Sequence, residues 1–392
     1  MRVPRFEPFT ALRYRTAALD DVIAPPYDVL SATDREALAA RDEHNIVHVD
    51  VPVGGADRYE RAAATLADWI ADDTLVADAA PTFTLYRMRF VDATGAERQL
   101  VGVIGGLEVV DEGAGGVLPH ERTTPKASTD RLDLTRATRS NLSPVWGLSL
   151  AGGLTDLLAD PAEPVGAVTV DGVTHTVERV TDGDRVAAIT ALVGSSDVLI
   201  ADGHHRYGIA RVYRDEVRDA TGSRDTPAEL TLTFVGELVA AQLSVEAIHR
   251  LYTGVTFERL REELAASFDL APIDEPTPAT LAAMASDGFL VLVGPDGAER
   301  MTPKAAAFQG VRALDGAWLE HALADSPAEV SYQHGLGEVV DAVRTGAAAG
   351  AVLIRPVSVA EIERTAREGL LMPPKSTVFT PKLRTGFVIR PM

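Results

Sequence analysis

The stretch SDVLIADGHHRYGIARVYRDEVR, Ser196–Arg218, decides how the chain is read. Its apolar run Val198–Ala201 has the length of a buried strand. Ala210, Tyr213 and Val217 recur at three- and four-residue spacing, which predicts a helix packing one face. Between them stand Asp202, Gly203, His204, His205 and Arg206. A strand that enters a helix through such a turn aims free backbone N–H groups and the positive helix end at one spot. Gly203 permits a positive φ or a close approach, and Arg206 can grip oxygens in a bidentate fork. The turn therefore reads as an anion or phosphate site. Two plainer readings compete: Asp202 as a helix cap with solvated histidines, and paired histidines on a metal.

The rest of the chain bounds this reading. With 392 residues, 46% hydrophobic and 24% charged, it has the composition of a soluble globular protein of two domains or one large one. No apolar run approaches the roughly 20 residues of a membrane helix, and the first residues lack the apolar core of a secretory signal. A cytoplasmic protein without membrane contact is expected. The absence of cysteine excludes disulfides, thiolate zinc sites and thiol catalysis. A formal charge of −20 argues against a general nucleic-acid surface but not against a local basic pocket. Of 37 basic residues only Lys126, Lys304, Lys375 and Lys382 are lysine, and each follows a proline. Apart from Lys304, read as surface, they mark segments of interest.

In APPYDVL, 24–30, two prolines force extended structure, and Tyr27 and Asp28 follow them. Ser31 or Thr33 caps a helix through residue 40, and HNIVHVDVP reads as a strand with one polar face. Residues 58–71 form a helix facing inward with Tyr59, Ala63, Leu66 and Ile70. Hairpins are predicted at 82–110 around Asp92–Gly95, at 166–182 around Asp171-Gly172, and around Pro295-Asp296-Gly297. His175, in the second, reads as a surface strand residue. A polar cluster of His120, Glu121, Arg122, Thr123, Lys126, Asp130 and Arg131 reads as a solvated loop, a usual place for catalytic groups. His249-Arg250 reads as a polar tip after a buried strand. The closing stretch carries Lys375, Ser376, Thr377 and Lys382 on segments that prolines hold extended. A composition shift near 220 divides the chain into 1–220, with the strand–turn–helix site, and 221–392, whose closing arm returns to it.

ADGHHRY at 201–207, HERT at 120–123 and MPPKSTVFTPKLRTG at 372–386 resemble the family called domain of unknown function 1015. APPYDVLS and SYQHGLGEVVDAV extend the resemblance over nearly the whole chain. Gly208-Ile209 depart from the family's usual Glu-Thr pair, and Ile248-His249-Arg250 from Thr-His-Arg. The DGHHR string also resembles the phosphate-binding turn of the ParB/sulfiredoxin superfamily, closest to its free-serine kinases. The resemblance implies a mixed α/β fold with a ParB/sulfiredoxin-like core, a nucleotide or phosphorylated-metabolite site on residues 202–206, and a link to serine metabolism.

The leading functional expectation is a phosphotransferase acting on a small hydroxylated metabolite, most simply free serine, with ADP or ATP and Mg2+. Gly203, His204, His205 and Arg206 hold the phosphates, and Asp202 holds Mg2+ or orients a histidine. Glu121 is the candidate base and His120 the second choice. Lys375, Ser376, Thr377 and Lys382 close over the ligand, while Arg122, Thr123, Lys126, Arg131, Tyr27 and Asp28 bind substrate. The alternatives are a nucleotide- or metabolite-sensing regulator without turnover, and a phosphoserine phosphatase. Oligomeric state is not legible.

Overall fold

The computed structural model describes residues 2–120, 128–372 and 375–392. The strand and helix predicted on either side of the turn at 202–206 both form. Val198–Asp202 is a strand and His204–Thr221 an 18-residue helix, opened by Gly203 at φ 86° and closed by Gly222 at φ 68°. That strand belongs to a nine-stranded mixed sheet. In chain order its members are β1 (Phe6–Glu7), β2 (Phe83–Val91), β3 (Glu97–Glu108), β4 (Val117–Leu118) and β5 (Val145–Ser149). They continue with β6 (Glu163–Val170), β7 (Val173–Val180), β8 (Val198–Asp202) and β9 (Leu230–Glu237). The spatial order is β4-β8-β5-β9-β3-β2-β7-β6, with β1 paired to the end of β3. Two pairings are parallel, β4 with β8 and β5 with β9, and the others are antiparallel.

Both faces of the sheet are covered around β8, which is why that strand reads as a continuous apolar run, whereas β6 at the sheet edge is largely exposed. Leu199 and Ala201 face a core shared with Trp146, Phe234, Ile46, Trp69 and the closing residues Phe379 to Ile389. Val198 and Ile200 face the opposite core with Val145, Ile189, Val193 and Tyr207. Glycines on β3 let aromatic rings lie flat on the strand: a Cβ at Gly105 would stand 2.6 Å from Phe6 and from Phe83. A second, all-antiparallel sheet is built from β10 (His249–Thr253), β11 (Phe268–Ile273), β12 (Leu290–Val293), β13 (Ala298–Pro303), β14 (Glu329–Gln333) and β15 (Gly350–Leu353). Its order is β11-β13-β12-β15-β10-β14. The mixed α/β class is as expected. β9 lies inside the first sheet, so that sheet draws on residues from both sides of position 220.

The three predicted hairpins form as β2–β3, β6–β7 and β12–β13. In the second, Asp171 at φ 53° and Gly172 at φ 74° make the tight turn. The capping box at Ser31 also forms, with Asp34 answering it at the start of Ala32–Arg41.

Four local expectations fail. Residues 46–51 are not a strand: Val47–Asp50 is a helical turn, held by the Asn45 side chain, which accepts from the Val47 N–H and donates to Asp21 O. Ile46, Val47 and Val49 are all fully buried, so the alternation there carried no face information. The helix Arg58–Ala71 buries Ala62, Leu66 and Trp69 and leaves Ile70 exposed. His175 is buried, its Nδ1 2.8 Å from the Tyr86 hydroxyl, because the closing segment covers that face. His249 and Arg250 are buried residues of β10, not a polar tip.

Candidate functional site at the strand-to-helix turn

Gly203 sets the geometry of the turn. Its φ of 86° belongs to the left-handed region, and a Cβ there would stand 3.1 Å from the Arg206 guanidinium and 3.3 Å from Val145 Cα. The first helical hydrogen bond runs from Tyr207 N–H to Gly203 O, so the amides of His204, His205 and Arg206 precede the helix ladder. The helix N-cap is Gly203, not Asp202. The Asp202 carboxylate instead binds cations. Oδ2 accepts from Arg206 Nη2 at 2.9 Å, and Oδ1 lies 3.1 Å from Lys382 Nζ. Burial alone would raise the Asp202 carboxyl, but Arg206 first and then Lys382 hold it down to about 2.

Arg206 is nearly buried, and both its terminal nitrogens have partners. Nη1 donates to the Pro144 carbonyl, Nη2 serves Asp202, and Asp28 Oδ2 stands 4.0 Å away on the open side. His120 lies beside the turn and is wholly buried, not solvated as its polar neighbourhood predicted. Its Nδ1 is 2.6 Å from Ile200 O and its Nε2 2.8 Å from Thr377 Oγ1, with Phe379 edge-on at 6.0 Å. Because a carbonyl only accepts, Nδ1 carries the proton, and Thr377 donates its hydroxyl hydrogen to Nε2. The His204 ring is 4.9 Å from that of His120, and its Nε2 is buried without a hydrogen-bond partner. Burial pushes His120 down to about 4; burial and then His120 push His204 down to about 3. Both rings are therefore neutral at neutral pH. They would offer a phosphate hydrogen bonds, not charge.

The structure thus brings together Asp202, Gly203, His204, Arg206, His120, Thr377, Lys382 and Asp28. The closing arm reaches the turn through Val378–Thr380, which pairs with Ser244–Glu246, and through Met372 N–H donating to His120 O. Lys375 has φ 59°, so the arm turns there and does not run extended as its prolines suggested. Lys304 contacts Ala265 O and Asp269, far along the chain from the turn. Arg131 is committed elsewhere. Its guanidinium donates to Asp50 Oδ1 at 3.0 Å and to Asp50 O, and stacks on Tyr27 at 4.2 Å. Tyr27 thereby supports Arg131 and lines, with Asp50, Arg131 and Arg206, a cavity of about 50 Å3. Glu121, Arg122, Thr123 and Lys126 lie outside the described residues.

Sequence reasoning missed Asp50, the Pro144 carbonyl and Phe379. Only Asp50 left a signal, as the one acid in an apolar run. Among the described residues no group of three or more His, Asp or Glu converges on a metal, and both oxygens of Asp202 already meet cations. These residues do not fit a resident Mg2+. A larger cavity of about 690 Å3, lined by Arg98, His249, Asp315 and Arg355 among others, includes none of the turn residues.

The fold and turn define a mixed α/β protein whose half-buried, polar strand-to-helix turn is met by residues of its closing arm. The chain belongs to the family described as protein of unknown function (DUF1015), whose model matches residues 6–317. No curated protein matches it. Similar solved structures include a free serine kinase in complex with AMP, 11% identical with a TM-score of 0.37, covering 69% of this chain and 88% of that one. They also include a conserved hypothetical protein from Pyrococcus furiosus, 12% identical with a TM-score of 0.36, covering 69% and 92%. A third is C-terminally truncated SbnI from Staphylococcus aureus, 15% identical with a TM-score of 0.37, covering 72% and 85%. At such TM-scores these likenesses carry no argument about the site. No helix among the described residues is long and apolar enough to cross a membrane.

Proposed function

We propose that the turn at 202–206 binds the phosphates of a nucleotide and that the protein transfers a phosphoryl group between it and a small hydroxylated metabolite such as serine. The observation that carries this reading is the buried, partnerless Nε2 of His204 at the head of an 18-residue helix, beside two cations that a single carboxylate holds in place. A buried polar atom without a partner costs free energy and calls for a ligand group. Phosphate oxygens would accept from the amides of His204 to Arg206 and from His204, with Arg206 and Lys382 exchanging part of Asp202 for the anion. Such chemistry needs positioning and charge neutralisation more than covalent work. Glu121 is the proposed base. His120, neutral and already accepting from Thr377, is the second choice of base. Residues 1–220 and 221–392 are proposed as the two halves, the second closing on the first through Thr377 and Lys382.

The test is a thermal-shift titration with ADP, ATP and phosphoserine, followed by an assay for labelled phosphoserine. A ligand that binds the native state raises its melting temperature by mass action. Arg206→Ala is expected to abolish the nucleotide shift, and Glu121→Gln to keep it while losing turnover. Full activity in both variants would refute the assignment. Binding without turnover in the unmodified protein would leave a sensing regulator instead.

A further inference from the structure

Thr377 is more than a docking contact of the closing arm. Three groups stand in line: the Ile200 carbonyl, the imidazole of His120 and the Thr377 hydroxyl, at 2.6 and 2.8 Å. Their polarity is fixed. The carbonyl takes the Nδ1 proton, which leaves the Nε2 lone pair to receive the hydroxyl hydrogen of Thr377. A hydroxyl whose proton is committed to a base, with the base oriented by a third group, has the arrangement of an activated nucleophile. Two further features set it where a phosphoryl donor is proposed to bind. Ile200 lies two residues before Asp202 on the same strand, and the His120 ring packs 4.9 Å from that of His204. Thr377 itself is only half-buried, on the same arm whose Lys382 meets Asp202 of the turn.

We propose that Thr377 accepts a phosphoryl group from the bound nucleotide to form a phosphothreonine in this chain. This rests on the nucleotide reading above. Thr377 Oγ1 attacks the terminal phosphorus of ATP or ADP. The bond from that phosphorus to the bridging oxygen breaks, and the nucleotide leaves one phosphate shorter with the electron pair. The hydroxyl proton passes to Nε2 of His120, whose Nδ1–H stays on Ile200 O and steadies the imidazolium. Arg206 and Lys382 stand on the side of Asp202, where charge on the leaving phosphate collects.

The experiment incubates the full chain with ATP or ADP, with and without magnesium, and reads intact mass and the phosphorylated peptide. The expected result is one added phosphoryl group on Thr377. It is absent in Thr377→Val and present in Thr377→Ser, and it forms about 100-fold more slowly in His120→Gln, the lower range for loss of a general base. Thr377→Val should keep a cooperative urea unfolding transition, which shows that it folds, and Thr377→Ser, which retains the hydroxyl, should keep the nucleotide-induced thermal shift. A clear thermal shift with no added mass, or a label that persists in Thr377→Val, overturns this inference and leaves the nucleotide reading standing. No thermal shift with any nucleotide overturns both.

Discussion

Lowering the pH from 7 to 5 should destabilise the protein through the two imidazoles beside the turn. An unfolded histidine titrates near 6.5 and takes up a proton over this range. In the fold, burial holds His120 near 4 and His204 near 3, so neither ring does so. The unfolded state then binds more protons, and stability falls as pH falls. The loss begins near pH 6.5 and levels off once the folded values are reached. Between pH 7 and 5 it amounts to about 2 kcal/mol per ring, or roughly 4 kcal/mol for the pair. The same effect at His175 and His249, both held near 4, makes the absolute slope steeper, so the comparison must be internal. Urea unfolding is followed by tryptophan fluorescence at half-unit pH steps for the unmodified chain and for His120→Gln/His204→Gln. The variant is expected to be less stable at pH 7, where Thr377 and Ile200 lose their partner. Its profile should nonetheless be flatter by roughly 4 kcal/mol between pH 7 and 5. Parallel profiles would refute the claim that these rings are buried and neutral.

Two further substitutions test the architecture around the site. Gly203→Ala should cost about 1–2 kcal/mol for a left-handed residue, with more from contact with Val145; Gly222→Ala is the control, with a similar φ and open space, and only Gly203→Ala should also weaken the nucleotide thermal shift. Asp78 accepts from Arg13 at 3.0 Å, Thr82 at 2.7 Å and Arg179 at 3.1 Å in a buried network. Asp78→Asn should lower unfolding free energy by about 3–5 kcal/mol, as expected when one member of a buried pair is removed; a loss under about 1 kcal/mol would show the network to be solvated.

The local signals were those with short-range causes. A buried apolar run, a glycine able to take φ 86° and a helical apolar face are properties of neighbouring residues. They were enough to place the strand, turn and helix at Val198–Thr221. The same holds for the hairpins, whose turns at Asp92–Gly95, Asp171-Gly172 and Asp296-Gly297 select the conformation locally. The run 46–51 failed for the complementary reason: where successive residues such as Ile46, Val47 and Val49 are all buried, alternation distinguishes no face, and the Asn45 side chain decided the outcome.

What the sequence by itself determined is which residues could meet an anion and which backbone could present them. What only the tertiary structure decided is how those residues are charged and paired. Arg131 looked like His120's neighbour and instead serves Asp50, 81 positions away. Thr377 meets His120 across 257 positions, and Lys382 meets Asp202 across the same fold. Burial that no local pattern encodes makes both imidazoles neutral and leaves one nitrogen of His204 without a partner. Protonation and pairing depend on desolvation and on distances between remote segments, and both are set only when the sheet, the helix and the closing arm pack together.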